Sequence, residues 1–435
     1  MTDTAAHVPR GKRINFVLAA VTDSLSEFGR RSCLLPCDFG VGCDSGLRFS
    51  SEDMASSKGL KKRRKTEKKA EAIGSDSGSS SQPVDWWDEF CRRVNDDCSP
   101  PKVLDTFESA FRISRKTFGY ICSLIKEDFA AKPGNFVFKD GTLLSLYDQV
   151  AISLRRLGSG ESLGAIGDSF GLTHSNVAQI TWRFVEAMEK RALHHLQWPN
   201  SGTDTDRIKS KFEKLSGLPN CCGAIDITHI LMNLRASDPT IKLCRDHAKN
   251  QSMVLQAIVG PNMRFLDIVT GWPGKMSESS IFQNSNFYRL CKEGKRLNEK
   301  IGEYIVGDSG YPLLPFLITP YEGTELSESS IKFNKRHLEV ALVAQRALKR
   351  LKDNWGIIRG VMWRPDRHKL PRIILVCCLL HNIAIDLEDE VQIELPACSS
   401  NHDPGYRQQV SRVSDPRGVC LRDKLILELS ANSRA

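Results

Sequence analysis

Three acidic residues stand where their chemistry is the simplest reason for their presence. Asp226 interrupts the otherwise apolar run Gly223-Ala224-Ile225-Asp226-Ile227-Thr228-His229-Ile230, where an unpaired acid is costly to bury. Asp308 follows Tyr304-Ile305-Val306-Gly307 and precedes a tight Ser309-Gly310-Tyr311-Pro312 turn. Glu278 comes shortly after Gly271-Trp272-Pro273-Gly274. Acids converging from separate strands suit divalent metal ions, because Mg²⁺ favours hard oxygen ligands and keeps several waters. Two such ions about 3.5–4 Å apart could activate water and stabilise the leaving oxygen of a phosphodiester. Each acid taken alone is better read as a turn cap or a surface ion pair.

The elements that must position these acids can be read from hydrophobic pattern. Residues 223–230, 253–260, 264–269 and 304–307 are expected strands, with Gly260-Pro261-Asn262 as a turn between two of them. Helical patterns cover Ile331 to Leu351 and Pro371 to Leu387. A sheet followed by helices, with acids at strand ends, predicts an α+β chain whose residues 216–390 form an α/β nuclease-type domain. A helical region over 85–215 precedes it. There Phe107, Phe111, Phe118, Ile121, Leu124 and Ile125 recur at helical spacing.

Within the unit 144–196, helices are expected over 149–157, 162–170 and 175–190, with Gly171-Leu172-Thr173 as a turn. That shape matches a helix-turn-helix, whose second helix would present Ser175, Asn176, Gln179 and Thr181 to a DNA groove. The same helix carries Val177, Ile180, Phe184 and Met188, a core face that suits a purely structural bundle as well.

Of 435 residues, 61 are Lys or Arg and 52 Asp or Glu, a net charge of +9. This mild excess is compatible with a polyanionic partner. Hydrophobic content of 40% and 8% aromatics describe an ordinary globular composition. The longest apolar stretch, Ile373 to Leu380, is far short of the roughly 18 residues a membrane span needs, so no membrane partner is expected. Fourteen cysteines lack framework spacing and read as reduced thiols.

Residues 1–84 have the composition of a disordered basic tail, rich in Ser, Lys, Gly and Glu from Ser50 on. The tail carries Lys61-Lys62-Arg63-Arg64-Lys65, a cluster suited to nuclear import. Residues 391–435 read as a loosely ordered C-terminal tail. His194 and His195 are expected at the surface, and His337 and His381 inside the nuclease-type domain.

Five motifs in order carry a resemblance. Gly223–Ile230, Gly271–Gly274, Gly307–Leu313, Phe333–His337 and Leu370–Ile383 together resemble Harbinger-type transposases over about 160 residues. Trp182-Arg183-Phe184, Asn220–Asp226 and Val361–Arg367 look most like a plant, chromatin-associated branch of that family. The resemblance implies an RNase H-like fold with a DDE catalytic site.

Asp226 matches the family's first aspartate and Asp308 the aspartate of its Gly-Asp-Ser-Gly-Tyr motif. Glu278 falls where the family has the aspartate of a His-Asp pair; here that pair is Ser277-Glu278. The catalytic glutamate position, aligned from Phe333-Asn334, is Gln345, 37 residues after Asp308. Glutamine offers one neutral carbonyl oxygen in place of an anionic carboxylate, so it balances less of a metal's charge. Glu339, six residues earlier, would point from another face. Asp226, Glu278 and Asp308 are then the expected metal ligands for a weakly held Mg²⁺ or Mn²⁺.

The plant branch implies a nuclear, non-cleaving protein that counters Polycomb-type silencing through the Polycomb repressive complex. The wider family implies a Myb/SANT-like partner, with DNA a further one. An active metal-dependent endonuclease and a sequence-specific DNA-binding regulator stay open as alternatives.

Overall fold

A computed structural model describes residues 85–95, 106–238, 240–246, 248–363, 365–366, 368–389 and 410–432. The basic cluster Lys61–Lys65 lies outside the described residues. Seven helices lead into the sheet: α1 (Trp86–Asn95), α2 (Phe107–Phe111), α3 (Arg115–Ala131), α4 (Leu146–Ser159), α5 (Leu163–Phe170), α6 (His174–Arg191) and α7 (Gly202–Ser216). Their starts are set by side-chain caps. Ser114, Ser145, Ser162, Thr173 and Ser201 each accept a hydrogen bond from an amide of the first turn, satisfying donors that the helix itself leaves unpaired. Gly171 ends α5 in the left-handed region at φ 65°.

The sheet is mixed and central. Its strands are β1 (Cys221–Asn233), β2 (Ser252–Val259), β3 (Phe265–Pro273), β4 (Tyr304–Val306) and β5 (Leu317–Ile318), in the order β3-β2-β1-β4-β5. β1, β2 and β3 pair antiparallel, while β4 runs parallel to β1 and β5 parallel to β4. A short β6 (Met362–Trp363) continues beside the far end of β1. Every residue of β2 is buried, as expected of a strand covered on both faces.

The remaining helices are α8 (Ile241–Cys244), α9 (Glu278–Gln283), α10 (Asn286–Lys292), α11 (Glu328–Asn354), α12 (Gly356–Arg359), α13 (Leu370–Asp386) and α14 (Pro416–Asn432). On one face of the sheet, α11 and α13 join a core that also takes in the N-terminal helices, from Trp87 to Leu425. On the other face, Ile281 and Phe282 of α9 and Phe287 of α10 pack with Ile225, Ile227 and Ile305. Among the described residues no helix is long and apolar enough to cross a membrane.

Two expectations are corrected here. The stretch 391–435 contains α14, which packs on α11 and β5; Leu425 there is 3% exposed. Its few apolar residues gain stability only against the elements they pack on, so local pattern alone undervalues them. His195 is buried rather than exposed. Tyr120 Oη lies 2.8 Å from its Nε2, and Asp386 Oδ2 2.7 Å from its Nδ1. Arg264 Nε donates to the same carboxylate at 2.9 Å.

Asn382 ties this network to the sheet. Its amide donates to the carbonyls of His195 and Phe265, both at 2.8 Å, and its oxygen accepts from Phe265 N at 2.9 Å. Asn382→Ala is expected to destabilise the fold by about 2–4 kcal/mol, since buried backbone groups lose their partners. A lowered urea midpoint with an unchanged slope would register the loss.

Candidate acidic site

Strand register brings the first two acids together. β1 and β4 pair with Ala224 opposite Val306, and Asp226 and Asp308 each lie two residues further along. Alternation then sets both at one level and on one face of neighbouring chains about 4.8 Å apart. Asp226 Oδ1 accepts from Ile227 N at 2.7 Å. Asp308 Oδ1 accepts from Gly310 N at 3.0 Å, closing the turn after β4.

Glu278 arrives from a different element. Ser277 caps α9, its hydroxyl accepting from Ser280 N at 3.3 Å, which sets Glu278 as the first helical residue. There it is only 3% exposed. Gly310 makes room for it: a Cβ at that position would overlap Glu278 Oε2. Glycine is required here by close approach, not by backbone angle.

The electrostatics follow from this crowding. Burial first, then the neighbouring Asp308 and Asp226 carboxylates, push the Glu278 carboxyl up to about 10. At neutral pH it keeps its proton and donates it to Asp308, while Glu278 Oε1 is buried without a hydrogen-bond partner. Burial first, then the same three acids, raise the phenol of Tyr311 beside the turn far above its ordinary range. Its hydroxyl reaches Gln256 Oε1 at 3.4 Å.

Oxygen-only donors and an orphaned carboxyl oxygen have the chemistry that suits a hard divalent ion. The full ligand set is another matter. Among the described residues no three His, Cys, Asp or Glu side chains converge closely enough to enclose a metal ion.

Gln345 lies on α11, which crosses the sheet between two anchors. His337 Nε2 meets Ile318 O at 3.2 Å, beside β4 and β5; burial pulls this imidazole down to about 4, so it is neutral. At the other end Lys352 Nζ donates to His229 O at 2.9 Å, on β1. Asp226 falls between these levels on β1, and Gln345 between them on α11. Gln345 shares the flank of Lys352, because seven residues make nearly two whole turns. It is half-buried. Glu339 points away and pairs with Arg336 at 3.3 Å.

Other expected site residues lie elsewhere. Ser175 and Gln179 are exposed and Asn176 half-exposed on α6, which packs against α4, α5 and α13 rather than beside the acids. Thr181, expected in that group, is buried and donates to Val177 O at 2.8 Å. It sits a helical turn past Val177 on the packed face, so it cannot meet a groove. His381 bonds Met263 O at 2.9 Å and stacks near Phe265, a packing role. The Tyr120–His195–Asp386 chain has no short sequence motif, because its members come from three distant segments.

Residues 242–382 match the family model described as DDE superfamily endonuclease. The chain is 57% identical over 353 residues to an Arabidopsis thaliana protein named ALP1-like, covering 79% of this chain and 85% of that protein. It is 48% identical over 348 residues to Arabidopsis thaliana Antagonist of like heterochromatin protein 1, covering 78% and 87%. It is 25% identical over 244 residues to the Homo sapiens putative nuclease HARBI1, covering 55% and 67%. No solved structure matches it.

The raised carboxyl of Glu278 makes stability depend on pH. A folded value near 10 against an ordinary 4.5 means the folded state holds an extra proton between those limits. The associated stability is present below 4.5 and lost as pH rises toward 10. Glu278→Gln keeps a neutral donor without the proton uptake, so it is expected to match the unaltered protein below pH 4.5, to be the more stable of the two at pH 7, and to flatten the loss toward pH 10. Gly310→Ala is expected to cost about 1–3 kcal/mol by overpacking. Urea titrations at pH 7 and 9 separate the two variants.

Proposed function

The chain belongs to the DDE superfamily endonuclease family, in company with the ALP1-like proteins, and from that membership we propose a domesticated, non-cleaving nuclear protein of transposase origin. DDE superfamily nucleases use divalent metal ions. The strand order β3-β2-β1-β4-β5, antiparallel in its first half and parallel in its second, supports an RNase H-like nuclease fold. On that fold Asp226 and Asp308 take the two aspartate positions and Gln345 the helix position of a third carboxylate.

One observation carries the non-cleaving reading: a neutral amide, half-buried, stands on the α11 flank from which Lys352 reaches β1 at His229. Mg²⁺ or Mn²⁺, when bound, would stabilise negative charge developing on phosphodiester oxygens. Asp226 and Asp308 supply anionic oxygens for such an ion. Glu278 withholds its charge until its proton leaves, and Gln345 supplies a carbonyl dipole only. Any ion is therefore held weakly, and transition-state stabilisation falls by several kcal/mol relative to a complete site.

Purified full-length protein is expected to leave supercoiled and linear DNA intact in Mg²⁺ or Mn²⁺. Robust metal-dependent cutting that Asp226→Asn abolishes would establish the rival reading, an active endonuclease. Cutting by Gln345→Glu alone would identify Gln345 as the block.

The biological role we propose is in chromatin. The relative named Antagonist of like heterochromatin protein 1 supports a role opposed to silencing, here exerted through the Polycomb repressive complex with a Myb/SANT-like partner. Lys61, Lys62, Arg63, Arg64 and Lys65 would direct nuclear entry. Affinity purification from nuclei should recover Polycomb repressive complex subunits; their consistent absence would sink this partner assignment.

A second reading, sequence-specific DNA binding, is favoured by one feature. α5 and α6 meet at Gly171 and leave Ser175, Asn176 and Gln179 accessible on the first turns of α6. Duplex binding that weakens steeply with salt and changes sequence preference in Asn176→Ala would support it.

A further inference from the structure

Where α4 ends, the chain gathers guanidinium groups without a matching set of carboxylates. The last turn of α4 lies directly on α12: a Cβ at Gly356 would stand 2.5 Å from Ser159 O and 2.6 Å from Gly158 O. On the other side of Gly158, Arg112 Cγ lies 2.9 Å from where a Cβ would be. Arg155 and Arg156 belong to that last part of α4, and Arg359 is the final residue of α12. Four arginines therefore meet around one seam.

Glu161 answers part of this charge. Its Oε1 accepts from Arg155 Nη2 at 3.0 Å and its carbonyl from Arg156 Nη1 at 3.4 Å. Among the described residues, the side chains of Arg112 and Arg359 have no hydrogen-bond or ion-pair partner, and Arg155 Nε is buried without one.

Repulsion acts on Arg112. Burial, then Arg155 and Arg359, lower the Arg112 guanidinium from its ordinary value, and burial brings Arg156 down to about 10. Arg112 also holds φ at 64° as the C-cap of α2, where glycine is the less strained residue. A half-buried guanidinium, Arg112, that lies against two other cations and has no side-chain partner is best explained by an anion from outside. Planar guanidinium forks match phosphate oxygens two at a time.

We propose that Arg112, Arg155, Arg156 and Arg359 form a binding site for a phosphate-bearing anion, built on elements other than those carrying Asp226, Asp308 and Glu278. The shared chemistry is clustered phosphate oxygens, supplied by a nucleic-acid backbone or by a soluble polyphosphate. The backbone is the favoured source, because α5 begins at Leu163, directly after Glu161 and its Ser162 cap. The site does not depend on whether the acidic site cuts.

The test uses full-length protein, tripolyphosphate as the probe, and two variants, Arg359→Gln and Arg112→Gln/Arg359→Gln. Arg359 is exposed, so the single variant keeps the fold even if the double one does not; circular dichroism and unliganded melting check both. Titration calorimetry should show tripolyphosphate bound about tenfold more weakly by the single variant, the worth of one charge-assisted contact. Absence of binding by the unaltered protein at millimolar probe, or equal binding by both proteins, would overturn the proposal.

A duplex-DNA arm identifies the source. If backbone phosphates occupy the site, the slope of log affinity against log salt drops by about 2 in the double variant. If tripolyphosphate binding is lost while that slope is unchanged, the site stands with a soluble polyphosphate as its ligand.

Discussion

Desolvated like charges cannot all stay charged, and that constraint organises the end of β1 and β4. Asp226 and Asp308 are brought level by parallel strand register, and Glu278 is inserted beside them under a glycine. Burial removes the water that would otherwise screen three carboxylates. The proton retained on Glu278 relieves the repulsion and becomes the hydrogen bond to Asp308. Ser277, Gly310 and Tyr311 all serve this arrangement: one starts the helix, one makes space, and one closes the wall.

α11 relates that acid group to the rest of the molecule. Its 27 residues cross the sheet between His337 at β5 and Lys352 at β1. The helix packs against the large core through Val340, Val343, Ala344, Ala347 and Leu348, so its azimuth is set by burial. Once that azimuth is set, Gln345 shares the flank of Lys352, which reaches β1 at His229. A glutamine there keeps the shape and hydrogen-bonding capacity of a glutamate without its charge. The fold persists because its stability comes from apolar burial on both sheet faces, to which the acids contribute little.

The acids were legible from the sequence because each interrupts an apolar or glycine-rich run, and the strands near them were legible from periodicity. β1 proved longer than the expected 223–230, extending over Cys221–Asn233, since its ends gain partners only from β4 and β6. Thr181 misled because helical position decides groove or core only after the packing side is known. His195 misled for a similar reason: Tyr120, Asp386 and Arg264, which bury it, lie far away along the chain. α14 was hidden because a weak amphipathic pattern becomes a helix when α11 covers it.

Residue identity by itself determined which chemistry is available: carboxylates at 226, 278 and 308, an amide at 345, and a family pattern that orders them. Periodicity by itself determined where strands and helices would form, since that depends on neighbours a few residues away. Only the tertiary structure decided which carboxylate keeps a proton, which flank Gln345 occupies, and that four arginines from three segments share one seam. Charge state and proximity depend on burial and on groups hundreds of residues apart, and neither is encoded in any local stretch of chain.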